Sequence, residues 1–87
     1  MLLNHYCIYD KKAQVFNAPF SCQNHVMAMR SVAHQAHDQN SMLSEYPTDY
    51  DLMAVGTWDD EQGCFVNVEK PEFIANVKQL IKTPEGE

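Results

Sequence analysis

Leu2 to Tyr9 is an apolar segment rich in β formers and reads as a strand, with Leu3, Cys7 and Tyr9 on one face and Tyr6 and Ile8 on the other. The polar run Asp10-Lys11-Lys12-Ala13 has the length of a hairpin connection. Gln14–Ala18 is then the returning strand, with Val15 and Phe16 pointing opposite ways, and Pro19 ends it because proline has no amide to give a ladder. The period changes after Asn24, a residue suited to accept from an orphan amide of a first helical turn. Val26, Met29, Ala33 and Ala36 recur at steps of three and four, which predicts a helix with one apolar face that ends at Asp38-Gln39-Asn40. Ser41–Glu45 has room for a short helical turn before Pro47. Strand character returns over Leu52–Trp58, followed by the turn Asp59-Asp60-Glu61-Gln62-Gly63 and a strand from Cys64 to Val68. Lys70-Pro71 then opens a second helix, with Phe73, Ile74, Val77, Leu80 and Ile81 as its apolar stripe and Lys78 and Lys82 near its C-terminal end. Residues 83–87 are expected to fray.

The predicted order is β-β-α-β-β-α: two hairpins forming a small antiparallel sheet with two helices, an α+β domain that takes in residues 1–87 without linker or repeat. A chain of 87 residues forms one small core, so a homodimer interface would add to its stability. Hairpin 1–18 offers an edge strand for such pairing. An apolar fraction of 45% excludes a disordered chain. No apolar run reaches a membrane span, and the lysines follow the first apolar stretch rather than precede it, the reverse of a signal peptide.

Charge divides the chain. Lys11, Lys12 and Arg30 outnumber Asp10 in the first thirty residues, whereas residues 31–69 hold eight acids and neither Lys nor Arg. With Lys+Arg 6 against Asp+Glu 12 in total, any nucleic-acid contact must be small, confined to the basic segments, or assembled by oligomerisation. Cys7, Cys22 and Cys64 are odd in number and widely spaced, a pattern of buried free thiols in a reducing compartment rather than of disulfides or zinc.

Arrangements for catalysis are lacking. His34 and His37, three apart with Asp38 adjacent, supply two ligands of the four a structural metal needs, and Asp59-Asp60-Glu61 fits no calcium-loop frame. The serines lack a nucleophile elbow, and three glycines build no phosphate-cradling loop. The expectation is a protein without catalytic residues, cofactor or metal. Binding chemistry fares better: Tyr6, Tyr9 and Phe16 lie on the first hairpin beside Lys11 and Lys12, and aromatic rings on a sheet stack bases while nearby cations meet phosphates. Arg30 adds a further cation. The candidate nucleic-acid residues are therefore Lys11, Lys12, Arg30, Tyr6 and Phe16. Trp58, Tyr46, Tyr50, Met42 and Met53 supply the residue types of a protein interface, with core packing as the competing explanation.

One ordered set of residues resembles a known family. Tyr9-Asp10-Lys11-Lys12-Ala13 closes the first strand, Pro19-Phe20 follows the second, and Asn24 opens a helix carrying Arg30. Tyr46-Pro47-x-Asp49-Tyr50-x-Leu52 and the hairpin Gly56-x-Trp58-Asp59-Asp60-x-x-Gly63 complete it. In this order they resemble the small non-structural protein of gokushoviruses, single-stranded DNA phages of the microvirus group. The resemblance implies an early-acting accessory factor made in the cytoplasm of the infected bacterium and absent from the virion. Its implied roles are DNA binding, regulation of single-stranded genome synthesis or DNA handling in packaging. The alternative is a protein module that engages the replication or packaging machinery without touching DNA.

Overall fold

A computed structural model describes residues 2–66 and 70–82. Its first long strand, β1 (Leu2–Asp10), is followed by two short ones, β2 (Val15–Phe16) and β3 (Phe20–Cys22), and by helix α1 (His25–Ala36). A short helix α2 (Met42–Glu45) and a 3-10 turn at Pro47–Asp49 lead into the second long strand, β4 (Tyr50–Asp59). After it come β5 (Cys64–Val66), β6 (Glu72–Asn76) and helix α3 (Val77–Lys82). The α+β class with an antiparallel sheet is as expected, while the order gains two strands over β-β-α-β-β-α.

The central pair is β1 against β4, antiparallel, running from Leu2 opposite Asp59 to Asp10 opposite Tyr50. On the outer side of β1 the lane is shared by β2, at Tyr9 and Asp10, and by β3, at Asn4 to Tyr6. On the outer side of β4 it is shared in the same way by β5, at Thr57 to Asp59, and by β6, at Asp51 to Ala54. Each half of the chain is thus a β-β-β-α unit, and the two units are related by an approximate two-fold between β1 and β4.

The turns of the two hairpins obey the same rule. Asp10 Oδ1 accepts from the amides of Lys12 and Ala13, at 3.0 and 3.1 Å, while the Gln14 amide donates to the Asp10 carbonyl at 2.7 Å. Asp59 Oδ1 accepts from the amides of Glu61 and Gln62, at 2.9 and 3.2 Å, while the Gly63 amide donates to the Asp59 carbonyl at 2.8 Å. Both turns close on a residue of positive φ, Gln14 at 60° and Gly63 at 71°. Tyr9 and Phe16 flank the first turn as Trp58 and Phe65 flank the second. The sequence shows no repeat because the turn needs an Asp and a left-handed residue, not a conserved string.

Two departures from the sequence reading have physical causes. The expected return strand Gln14–Ala18 shrinks to Val15–Phe16, because Gln14 belongs to the turn and pairing stops ahead of Pro19, and the same outer lane restarts at Phe20, where the backbone pairs with the middle of β1. The expected helix from Pro71 starts instead at Val77, because Glu72–Asn76 fills the open edge of β4. Asn76 then caps α3: its Oδ1 accepts from the Lys78 amide at 3.1 Å, and Gln79 Oε1 accepts from the Asn76 amide at 3.0 Å, a reciprocal capping box. Helix α1 begins as the sequence indicates, with Asn24 Oδ1 accepting from the Met27 amide at 2.9 Å. Its inner face is Ala28, Val32, Ala33 and Ala36, whereas Val26 is exposed. The expected extension of the fourth strand to Val68 and the fraying of 83–87 fall outside the described residues.

All helices cover one side of the sheet. The core lies there: Tyr6, Ile8, Tyr50 and Leu52 from the strands against Ala28, Val32 and Ala36 of α1, Leu43 of α2 and Val77 of α3. Among the described residues no helix is long and apolar enough to cross a membrane. The three cysteines are free, but only Cys7 is fully buried, and Cys64 is exposed.

Candidate nucleic-acid interface

Cross-strand partners point to the same side of a sheet, so the register sorts the candidate residues by face. Tyr6 and Ile8 face the helices. Tyr9 and Cys7 therefore face the other way, the side no helix covers, together with their partners Phe16, Asp51 and Met53. Beyond the break in register at His5 and Tyr6, the open side continues through His5, Leu3, Trp58 and Phe65. Ring contacts agree: Tyr9 and Phe16 have centroids 4.4 Å apart, Trp58 and Phe65 5.0 Å, and His5 and Phe65 5.2 Å.

This sorting corrects one candidate and separates another. Tyr6 is 0% exposed and so offers no ring to a base; its hydroxyl lies 2.8 Å from His25 Nδ1, and its ring meets the His25 ring edge-on. Burial, then the negative charge of Cys22 and of Glu72, pushes its phenol above the usual range. Period two gives two faces of β1 but does not say which lies under the helices, and Tyr6 is on the covered one. Arg30 is exposed on α1, in the helix layer rather than on the open face.

Lys11, Lys12 and Phe16 do come together, at the corner where the first hairpin turns. Lys11 and Lys12 are exposed in the turn itself, and Lys11 Nζ reaches Asp51 Oδ1 at 3.6 Å. Its ammonium is therefore shared with a carboxylate, and Lys12 is the more available of the two. Phe16 is exposed on β2 beside the half-buried Tyr9. On the other side of the turn, Lys12 lines a groove of ≈420 Å³ with Met42, Tyr46, Tyr50, Asp10 and Asp49. Met42 and Tyr46 are exposed there. Tyr50 is buried, and burial, with Asp10 and Asp49 next, raises its phenol pKa. The sequence-level interface set thus splits: Trp58 and Met53 belong to the open sheet face, Met42 and Tyr46 to the groove, and Tyr50 to the core. Tyr9 and Tyr46 complete the Lys11–Lys12 corner, and their exposure depends on chain packing that no local pattern encodes.

Elsewhere, a polar cleft of ≈220 Å³ lies between α1 and the sheet, with His25, Asn4, Thr57, Lys70 and Glu72 on its wall. His34 and His37 are both exposed, and no three His, Cys, Asp or Glu side chains among the described residues are placed to hold a metal ion.

Residues 3–80 match a family model described as Phage ORF5 protein. No curated protein and no solved structure matches the chain.

Proposed function

The chain belongs to the Phage ORF5 protein family, and from that premise we propose that it is a non-catalytic phage accessory protein that binds single-stranded DNA at the corner formed by Lys11, Lys12, Tyr9 and Phe16. One observation carries this reading: two rings 4.4 Å apart on an uncovered sheet face, one of them exposed, adjoin two exposed lysines. A base stacking on Phe16 leaves its phosphate within reach of a lysine side chain, which is how sequence-tolerant single-strand binders work. Tyr46, across the turn, is a second ring for a neighbouring nucleotide. The footprint is short, since a chain with 6 cations against 12 acids repels a long polyanion. The ordered residue set shared with the gokushovirus non-structural protein supports a place in single-stranded genome synthesis or packaging, in the cytoplasm of the infected bacterium.

Fluorescence anisotropy of a labelled single-stranded oligonucleotide tests it. The expected outcome is saturable binding at low salt that weakens toward physiological salt with the slope of a few phosphate contacts. Binding should be lost in Lys11→Glu with Lys12→Glu and weakened in Phe16→Ala, while Arg30→Glu has a smaller effect. Absence of binding at low salt would refute the DNA role. A second reading, docking to replication or packaging proteins without DNA, draws on the uncovered apolar face around Met53, Trp58 and Phe65.

A further inference from the structure

The groove behind the Lys11–Lys12 turn holds polar groups that the fold itself leaves unused. Its floor is Tyr50, which stands opposite Asp10 across β1 and β4, so the two side chains lie on the same side of the sheet. Its wall is Asp49, whose carbonyl accepts from the Lys11 amide at 2.9 Å and fixes the 3-10 turn against the hairpin. Tyr46 and Met42, 47% and 57% exposed, form the rim. Tyr50 is 8% exposed, and while its carbonyl accepts from Asn76 at 3.0 Å, no partner among the described residues meets its hydroxyl. Among the same residues no sealed-in polar side-chain atom goes without a partner, so this hydroxyl opens into the groove it lines. Burial, then the charges of Asp10 and Asp49, raise its pKa, so the hydroxyl keeps its proton and is a donor. Asp10 Oδ1 is taken up by the turn amides, whereas the Asp49 carboxylate accepts no hydrogen bond from the described residues. The groove therefore presents one hydroxyl donor beside a carboxylate with both oxygens open.

We infer that this groove takes the base of a guanine nucleotide, with the Asp49 carboxylate accepting from its N1–H and N2 amino group and the Tyr50 hydroxyl donating to O6. The inference rests on the single-strand binding reading and gives that otherwise sequence-tolerant contact one selective position. Unstacked bases are read by hydrogen bonds on their Watson–Crick edges. Guanine's edge runs acceptor, donor, donor, which complements one hydroxyl and two carboxylate oxygens. Cytosine and adenine set a ring-nitrogen acceptor beside their amino group, and that acceptor would oppose the carboxylate. Thymine offers one N–H between two carbonyls and leaves a carboxylate oxygen unmet. A site built to pair a polar edge rejects the wrong edge strongly, because its own buried groups are then left unpaired. The charges of Asp10 and Asp49 keep phosphate out of the groove, so the base enters and the phosphate stays with Lys12 at the turn. The exposed Tyr46 ring supplies a stacking surface, and Met42 adds an apolar contact. At ≈420 Å³ the groove falls within the range of ligand pockets, about 300–1,000 Å³. A strand that crosses the turn from Phe16 places its next base there.

Fluorescence anisotropy with labelled thymidine oligonucleotides that differ in one central base tests it. Wild-type protein is expected to bind the guanine oligonucleotide about tenfold more tightly than those with thymine, cytosine or adenine at that position. Inosine, which lacks the N2 amino group, should fall between. Asp49→Asn should erase the preference while all-thymidine binding stays as strong or grows, since a negative charge is gone; a purely structural role for Asp49 would weaken every oligonucleotide alike. Tyr50→Phe, which keeps the ring in the core, should reduce the preference with unchanged circular dichroism. Lys12→Glu should weaken all the oligonucleotides and keep their order. Equal affinity for the four bases in wild type, or a guanine preference that survives Asp49→Asn, would overturn the inference and leave the DNA reading standing. Failure of every oligonucleotide to bind at low salt would overturn both. Shifts of the Tyr46 and Tyr50 ring signals in NMR spectra with arginine amide but not with guanosine would also overturn it, and give the groove to a cationic side chain of a protein partner.

Discussion

At the scale of single residues, Tyr6 shows how a side chain chosen for binding becomes a determinant of stability. Its ring is the largest fully buried one, and its hydroxyl is held by His25. Tyr50 and the Cys7 thiol share its condition, for burial also raises their pKa values. An unfolded chain releases these protons at about pH 8.5 for Cys and about 10 for Tyr, whereas the native chain retains them to higher pH. Stability from these groups is therefore complete at neutral pH, declines once pH passes the unfolded values, and is lost as pH rises through the raised native ones. Urea unfolding from pH 7 to 11 should show this alkaline decline, shallower in Tyr6→Phe, which should also cost about 1 kcal/mol at pH 7 through the lost hydrogen bond. An identical alkaline limb in wild type and variant would mean Tyr6 does not contribute to it. Asn24 was legible as a cap because the signal is local. The burial of Tyr6 was not, because alternation marks two equivalent faces and only the placement of α1 distinguishes them.

Among elements, the hairpin turns and the two short strands decide what could be read in advance. Gly63 announces the second turn, since glycine takes positive φ at little cost. Gln14 hides the first, because nothing in its chemistry advertises a φ of 60°. That difference is measurable. A non-glycine residue in the left-handed region carries about 1–2 kcal/mol of strain, partly offset by the extra chain entropy glycine loses on folding. Gln14→Gly should accordingly stabilise the protein by about 0.5–1 kcal/mol. Gly63→Ala should destabilise it by a similar amount with no steric component, since a Cβ there meets nothing within 4 Å. Chemical denaturation of the pair would check both, and changes of the same sign would refute the equivalence of the two turns. Strand β6 went unread for another reason. Phe73, Ile74 and Val77 fit a helical stripe as well as a strand, and Pro71 favoured the helix; the free edge of β4, a tertiary demand, settles it for the strand. The capping box of Asn76 and Gln79 was in the sequence and marks where α3 begins, but the helical stripe across it masked the boundary.

For the whole molecule, the α+β class followed from the β-forming segments, the helical period after Asn24 and the two hairpin connections, while the internal two-fold did not. Its sequence trace is limited to Tyr9 with Trp58, Asp10 with Asp59, and Phe16 with Phe65, residues whose equivalence emerges only once β1 lies against β4. The duplication gives the sheet two aromatic corners, the first beside Lys11 and Lys12 and the second beside Asp60 and Glu61. Acids outnumber cations two to one over the whole chain, so repulsion limits how tightly a polyanion is held at the first corner. Asp60→Lys with Glu61→Lys, which removes two carboxylates and adds positive charge, should bind a short single-stranded oligonucleotide at low salt about tenfold more tightly than wild type. Fluorescence anisotropy with the labelled oligonucleotide reads the affinity. An affinity indifferent to the exchange would mean that DNA lies away from the sheet face, and would direct attention to the groove of Met42 and Tyr46.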